Sequence, residues 1–195
     1  MAPFCSGARM EEPIAFSELN DFIFCPASIY FHGMYEGVEG LLYKEIPQLK
    51  GTQAHKAIDE GTFYDDDTIS GIMVYAAHYN LIGKIDRYKK SKRMLVESKR
   101  VIKQVFEGYV FQLYAQYFGM LDAGFSVDEL RLYDMSKNKP YVVLKPKDDP
   151  NMFKKFEQLI AEIRSFDLAY FVPETIAKCQ TCIYSNICSW SLYDQ

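Results

Sequence analysis

Long apolar runs are missing from this chain of 195 residues, and no stretch approaches the eighteen or so that a membrane-spanning helix needs. No membrane association through a spanning helix is therefore expected. The first 13 residues lack the apolar centre of a secretory signal, and the opening MAPFCSGARM has no periodicity. That end reads as frayed, with Cys5 a spare thiol. A strong charge of one sign is missing as well: 22 Lys and Arg stand against 26 Asp and Glu, for a net charge of −4. No global basic field marks the whole surface for nucleic acid, although a local groove can be basic in an acidic protein. Repeats and low-complexity linkers are absent. These absences point to the cytoplasm, where thiols stay reduced. Five cysteines in such a compartment indicate metal binding or catalysis before disulfides.

What the chain has in abundance is apolar and aromatic side chains, 49% and 15% of its residues. Its length supports one domain over residues 1–195 with a substantial core. Residues 16–32 (FSELNDFIFCPASIYFH) predict a helix capped at Ser17, with Glu18 and Asp21 in its first turn and an interruption at Pro26. Residues 51–61 (GTQAHKAIDEG) are expected to form a short helix between glycines. Three strand-like runs follow, at 70–78, 80–88 and 93–99, separated by short polar turns. A long core helix is expected over 103–122, with Val105, Tyr109, Phe111, Leu113, Tyr117, Met120 and Leu121 at helical spacing. Runs at 125–133 and 139–145 read as a further hairpin, and a last helix is entered at Asp149-Pro150. The run from Asp65 to Ser70 (DDDTIS) reads as a solvated turn, with a cation site as its alternative. The fold class is α/β: a central mixed sheet of about five strands flanked by helices.

Charge within strand-like runs is the first sign of chemistry. In GKIDRYKKSKRMLVESKR, residues 83–100, Asp86 lies in one run and Glu97 and Lys99 in the next. A buried or half-buried charge costs several kcal/mol, on the order of its desolvation, unless it is paired or holds a metal. A hairpin of this length sets the two runs side by side, and Glu97 and Lys99, two apart, share a face. Asp86 and Glu97 together can clamp a hard divalent cation through oxygen, and Lys99 beside them can orient a water or steady charge on a phosphate. His55 as a further ligand would favour Mn²⁺ over Mg²⁺. Taken singly, each residue has a plainer explanation: a turn aspartate, a surface ion pair, a core histidine.

A second constellation lies in the cysteines. Cys179, Cys182 and Cys188 form C-x2-C-x5-C in the tail, and Cys25 lies far upstream. Four such cysteines can hold either zinc or an iron–sulfur cluster, and spacing alone leaves that choice open. Tying Cys25 to Cys179 closes a loop of about 155 residues, which in the chain-entropy model constrains the unfolded chain by roughly 5 kcal/mol.

GTQAH, GKID, VESK and QLYAQ, in that order, resemble the RecB-type branch of the PD-(D/E)xK nuclease superfamily. The likeness is in particular to the CRISPR-associated RecB-like exonucleases of spacer acquisition. It spans nearly the whole chain, from Cys25 to Cys188. It implies that His55, Asp86 and Glu97 ligate Mn²⁺ or Mg²⁺, with the carbonyl of Ser98 as a fourth contact. It makes Lys99 the catalytic lysine and Gln112 the glutamine of a Q-x-x-x-Y helix motif. It also settles the cysteines in favour of a [4Fe–4S] cluster held by Cys25, Cys179, Cys182 and Cys188, in an iron–sulfur subdomain made by residues near 25 and by 174–190. That cluster would join the N-terminal helix to the C-terminal tail. Two departures stand out: Ile85 replaces the proline of the superfamily's name, and Gln116 stands where the motif often has tyrosine. The implied activity is that of a metal-dependent DNA exonuclease trimming single-stranded prespacer overhangs beside the CRISPR adaptation integrase. A free-standing repair or recombination nuclease would carry the same site, and a weakly catalytic DNA-binding subunit of the adaptation complex is a further alternative. Lys84, Arg87, Lys89, Lys90, Lys92, Arg93, Lys99, Arg100 and Lys103 could form a positive strip for phosphates, or the hairpin tip could simply be a solvated turn. Tyr30, Phe31 and Tyr35 could stack on bases or lie in the core.

Overall fold

A computed structural model describes residues 12–35 and 66–193. Strands are β1 (Ile14–Ala15), β2 (Thr68–Ser70), β3 (Met73–Ala76), β4 (Leu81–Lys84), β5 (Arg87–Lys89), β6 (Met94–Lys99), β7 (Glu129–Asp134) and β8 (Lys139–Val143). Helices are α1 (Phe16–Phe24), α2 (Pro26–Tyr35), α3 (Glu107–Asp122), α4 (Pro150–Ser165) and α5 (Ile176–Gln180). The mixed five-stranded sheet runs β2-β5-β6-β7-β8, and a three-stranded sheet runs β1-β4-β3. The expected central sheet and flanking helices are present; the second sheet is an addition.

The two sheets share one hairpin. Met73 pairs with Lys84 in the small sheet, and Ser70 pairs with Arg87 in the large one, so the antiparallel register does not change between them. The chain crosses between sheets at Gly71 and Ile72 on one side and at Ile85 and Asp86 on the other, joined by the amide of Gly71 to the carbonyl of Ile85 and the amide of Ile85 to the carbonyl of Ile72. Gly71 has φ 67°, a left-handed conformation that a side chain would strain. The expected runs 70–78 and 80–88 are therefore each broken in two. β1 adds a short parallel pair on β4, with Ile14 opposite Leu81. Two residues carry no periodicity, so this strand left no trace in the pattern.

β6 and β7 are parallel, a pairing that needs a crossover, and α3 supplies it. The helix starts at Glu107 rather than at 103, so Val105 belongs to the approach and is exposed, as is Leu121 at the far end. Its inner face buries Val110, Phe111, Leu113, Tyr114 and Met120. At Gly119 an added Cβ would meet Val74 at 2.7 Å, so the small residue lets α3 lie directly on β3. Phe156 of α4, fully buried, gathers the rings of Tyr79, Phe111, Tyr114 and Phe118 around it. Fully burying such a ring is worth roughly 1.5–3 kcal/mol. The last helix begins as expected: Asp149 caps it by accepting from the amide of Met152 at 3.0 Å, with Pro150 in its first turn.

The N-terminal helix differs in its cap. Its N-cap is Ala15 rather than Ser17, and Glu18 reaches back to accept from the Ala15 amide at 2.6 Å. The break before Pro26 is as expected, with Cys25 extended between α1 and α2. The short helix expected over residues 51–61, and with it His55, lies outside the described residues, as does Cys5.

Candidate functional site

β5 and β6 pair Arg87 with Val96 and Tyr88 with Leu95, so Asp86, at the bend just before β5, comes level with Glu97 when this register is extended by one residue. Residues directly opposite share a face. Lys99, two further along β6, joins them. The three charged side chains therefore converge on one face, at the bend where the hairpin leaves the large sheet for the small one. Asp86 Oδ2 accepts the Ser98 amide at 2.7 Å, which fixes the carboxylate against β6. For Ser98 it is the amide that reaches this carboxylate, while its hydroxyl accepts from Arg87 on the reverse face at 3.1 Å.

Glu97 has no exposed surface, and a hydrogen-bond donor meets each of its two oxygens. Lys99 Nζ donates to its Oε1 at 2.7 Å, and Gln116 Nε2 donates to its Oε2 at 2.5 Å. Lys99 Nζ also donates to Gln112 Oε1 at 2.7 Å and sits 5.0 Å from the centre of the Tyr109 ring. Burial would pull the Lys99 ammonium down in pKa, but the Glu97 carboxylate, reinforced by Asp86, outweighs it and raises the value. Lys99 is thus held as a cation. Burial and then the charge of Asp86 push the Glu97 carboxyl above its ordinary range, against the pull of Lys99 and Gln116. The charge of Asp86 thus opposes the ionised form of Glu97, while Lys99 and Gln116 favour it.

Beside them lies an open cleft of about 310 Å³, lined by Asp86 and Gln112, by Ala15, Phe16 and Ser17 at the start of α1, and by Ile82, Gly83 and Lys84 of β4. At Gly83 an added Cβ would meet the Phe16 ring at 2.5 Å, so glycine allows α1 to close this wall. Beyond β6 the segment with Arg100 and Lys103 is held by Asp134. This buried carboxylate accepts from the amide of Ile102 at 3.0 Å and from the amide and hydroxyl of Ser136 at 2.9 and 2.7 Å. Burial alone would raise its pKa, but these donors hold it at about 2. Asp134 was not singled out from the sequence, although it falls on the buried row of ELRLYD with Leu130 and Leu132.

The positive residues do not form one strip. Lys84 borders the cleft, and Arg100 and Lys103 are exposed past the end of β6. Arg87 turns to the reverse face, 5.0 Å from the Tyr133 ring, and Arg93 is paired with Asp128. At the hairpin tip, Asp67 accepts from the amide and hydroxyl of Ser91 at 2.7 and 2.6 Å, so that end of DDDTIS is a turn anchor. Tyr30 is half exposed, whereas Phe31 is core.

A second, smaller core surrounds the tail. Phe31 stacks on Tyr184 at 5.6 Å and meets Trp190 edge-on at 6.5 Å, with Ala27 buried beside them. Cys25, Cys179, Cys182 and Cys188 all line one pocket here, together with Phe171 and Trp190. All four are free thiols. Burial raises the pKa of Cys25 and of Cys182, and each is raised further by the charge of the other cysteines. The thiols thus sense one another across the pocket. Among the described residues no group of three or more His, Cys, Asp or Glu is gathered closely enough to hold a metal ion. Also among them, no helix is long and apolar enough to cross a membrane.

The fold and this polar centre define an α/β protein with a mixed sheet, helices on its faces and a charged site at the junction of two sheets. No family model matches the chain, and no curated protein matches it. Among solved structures it is similar to a protein described as SSO0001, with a TM-score of 0.60 and 15% identity, over 96% of this chain and 91% of that one. At that identity the likeness is one of fold.

Proposed function

We propose that this protein is a metal-dependent deoxyribonuclease of the RecB-like PD-(D/E)xK type, an exonuclease acting on single-stranded ends. The single observation that carries the proposal is the Asp86–Glu97–Lys99 convergence beside an open cleft, with Gln112 on the lysine. Two carboxylates and a lysine in this order are a donor set suited to a hard divalent ion and a phosphate. Asp86 and Glu97 would hold Mn²⁺ or Mg²⁺, with His55 and the Ser98 carbonyl as the further ligands that the resemblance implies. When bound, the ion supplies polarisation of the scissile phosphate and a more acidic water. Lys99 presents an ammonium to the phosphate oxygen on which charge builds, a contribution of order 10²–10³ in rate for one such donor. Gln112 holds that ammonium in place. Lys84, Arg100 and Lys103 would meet flanking phosphates, and Tyr30 would offer a ring to an unpaired base.

The four cysteines line one pocket without being gathered closely enough to hold a metal as they stand, but thiolates are the donor type that a [4Fe–4S] cluster or zinc takes. We assign the cluster, as a tie between the break at Cys25 and the tail. By resemblance the substrate is a prespacer overhang, the partner is the CRISPR adaptation integrase and the compartment is the cytoplasm.

One observation favours a second reading, a DNA-binding subunit that cuts poorly: both oxygens of Glu97 are already engaged, by Lys99 and Gln116. Anaerobic purification followed by digestion of end-labelled single-stranded DNA with Mn²⁺ separates the two. A brown sample that digests DNA, and an Asp86→Ala variant that binds DNA without cutting it, support the nuclease. Binding without Mn²⁺-dependent cutting by the wild type favours the subunit, and a colourless, zinc-containing sample rejects the cluster.

A further inference from the structure

The hydrogen bonds around Glu97 single out Gln116. Gln112 and Gln116 lie four apart on α3, on one helical face, and address the two ends of the same ion pair. Gln112 reaches Lys99, and Gln116 reaches Glu97. Gln116 has no exposed surface. Its amide oxygen, Oε1, has no hydrogen-bond partner among the described residues. A buried amide with one end unsatisfied costs free energy, and a buried position on α3 that only had to fill space would be better served by Leu or Met. The amide is therefore there for the one bond it makes. Turning it over would set Oε1 against a carboxylate, so Glu97 also fixes which end of the amide faces it.

We infer that Gln116 is the positioning residue for Glu97. Its Nε2–H holds one carboxylate oxygen in a set direction, so that the other can address Lys99 and a bound cation. This rests on the proposed divalent-ion site and adds to it the residue that shapes the ligand. It also gives a role to the position where the resembling family often has tyrosine: this chain supplies the donor from an amide instead. Residues one step behind a metal ligand commonly alter metal affinity by about 10–100-fold when removed.

The test is Mn²⁺ binding by the full chain, followed by the loss of the free-ion paramagnetic resonance signal, without DNA and without turnover. Gln116→Met matches the side chain in volume and flexibility but cannot donate. Gln116→His places a ring N–H at a similar reach. The expected result is a weakening of Mn²⁺ affinity by about 10–100-fold in Gln116→Met, with affinity largely restored in Gln116→His and thermal unfolding still cooperative in both. Wild-type affinity in Gln116→Met, or no recovery in Gln116→His, overturns the inference. Should Gln116→Met fail to fold, Gln116→His decides alone: near wild-type affinity supports the role and a tenfold loss rejects it. Absence of Mn²⁺ binding in the wild type is a different outcome, since it removes the proposed metal site itself and the inference with it.

Discussion

The two polar regions are built in opposite ways. The acidic centre is assembled from residues 86–116, on two adjacent strands and the helix that follows, and its side chains are already hydrogen-bonded to one another. The cysteine pocket brings Cys25 against a tail that begins some 150 residues later, and its thiols border a small core that includes Phe31, Phe171, Tyr184 and Trp190. The first region is a preorganised network in which, of the buried side-chain atoms of Asp86, Glu97, Lys99, Gln112 and Gln116, Gln116 Oε1 alone lacks a hydrogen-bond partner among the described residues. The second lines one pocket with four half-buried thiols, of which Cys25 and Cys182 are pushed up in pKa by burial. On the proposed reading, the acidic centre is shaped by the protein alone and the pocket by the cluster assigned to it.

The hardest blow to this contrast comes from Lys99. Lys99→Met leaves Glu97 buried with one donor and near Asp86, and should lower the proposed DNA cleavage by roughly 10²–10³-fold. It should also cost about 3–5 kcal/mol, because one partner of a buried pair is removed. A digestion assay and urea unfolding read the two effects, and an unchanged unfolding midpoint would show that the centre is not the self-supporting network described. Next in size is Cys25→Ser, expected to abolish the visible absorption of anaerobically purified protein and to lower stability by about 2–5 kcal/mol. A loss of equal size in protein prepared without the proposed cluster would mean that packing, not a bound group, holds the tail. The smallest effect concerns Asp134, whose carboxyl is held at about 2 against an ordinary value near 4. A depressed carboxylate contributes stability that is present above the ordinary value and lost as pH falls through the folded one. The gap in melting temperature between wild type and Asp134→Asn should accordingly be constant near neutrality and shrink between about pH 4 and pH 2. A gap that persists at pH 2 would assign the effect to shape rather than charge.

Much of the acidic centre was legible in the chain because it obeys short-range rules. Glu97 and Lys99 share a face by strand alternation, and Gln112 and Gln116 share one by helical spacing. Gln116 was nonetheless weighed only as a missing tyrosine, since nothing in a helix pattern tells which neighbour an amide will meet. Asp134 had a signal, a carboxylate in the apolar row of β7, that passed as strand alternation. The helix limits at 103 and at Ser17 shifted because propensity does not register where the chain must turn to join the sheet. The bend at Gly71 and Asp86 escaped because an unchanged register hides a change of sheet.

By itself the sequence determined the alternating strands, the amphipathic helices, the stop before Pro26 and the presence of a charged set and a cysteine set of side chains, all consequences of local geometry and burial. Only the tertiary structure decided that the hairpin would divide between two sheets, placing Asp86 at the bend beside a cleft. It also decided that Cys25 would face the tail and that Arg87 would turn away from the cleft. Those outcomes depend on packing between segments distant in the chain, where the free energy of burying a common core selects an arrangement that no single segment encodes.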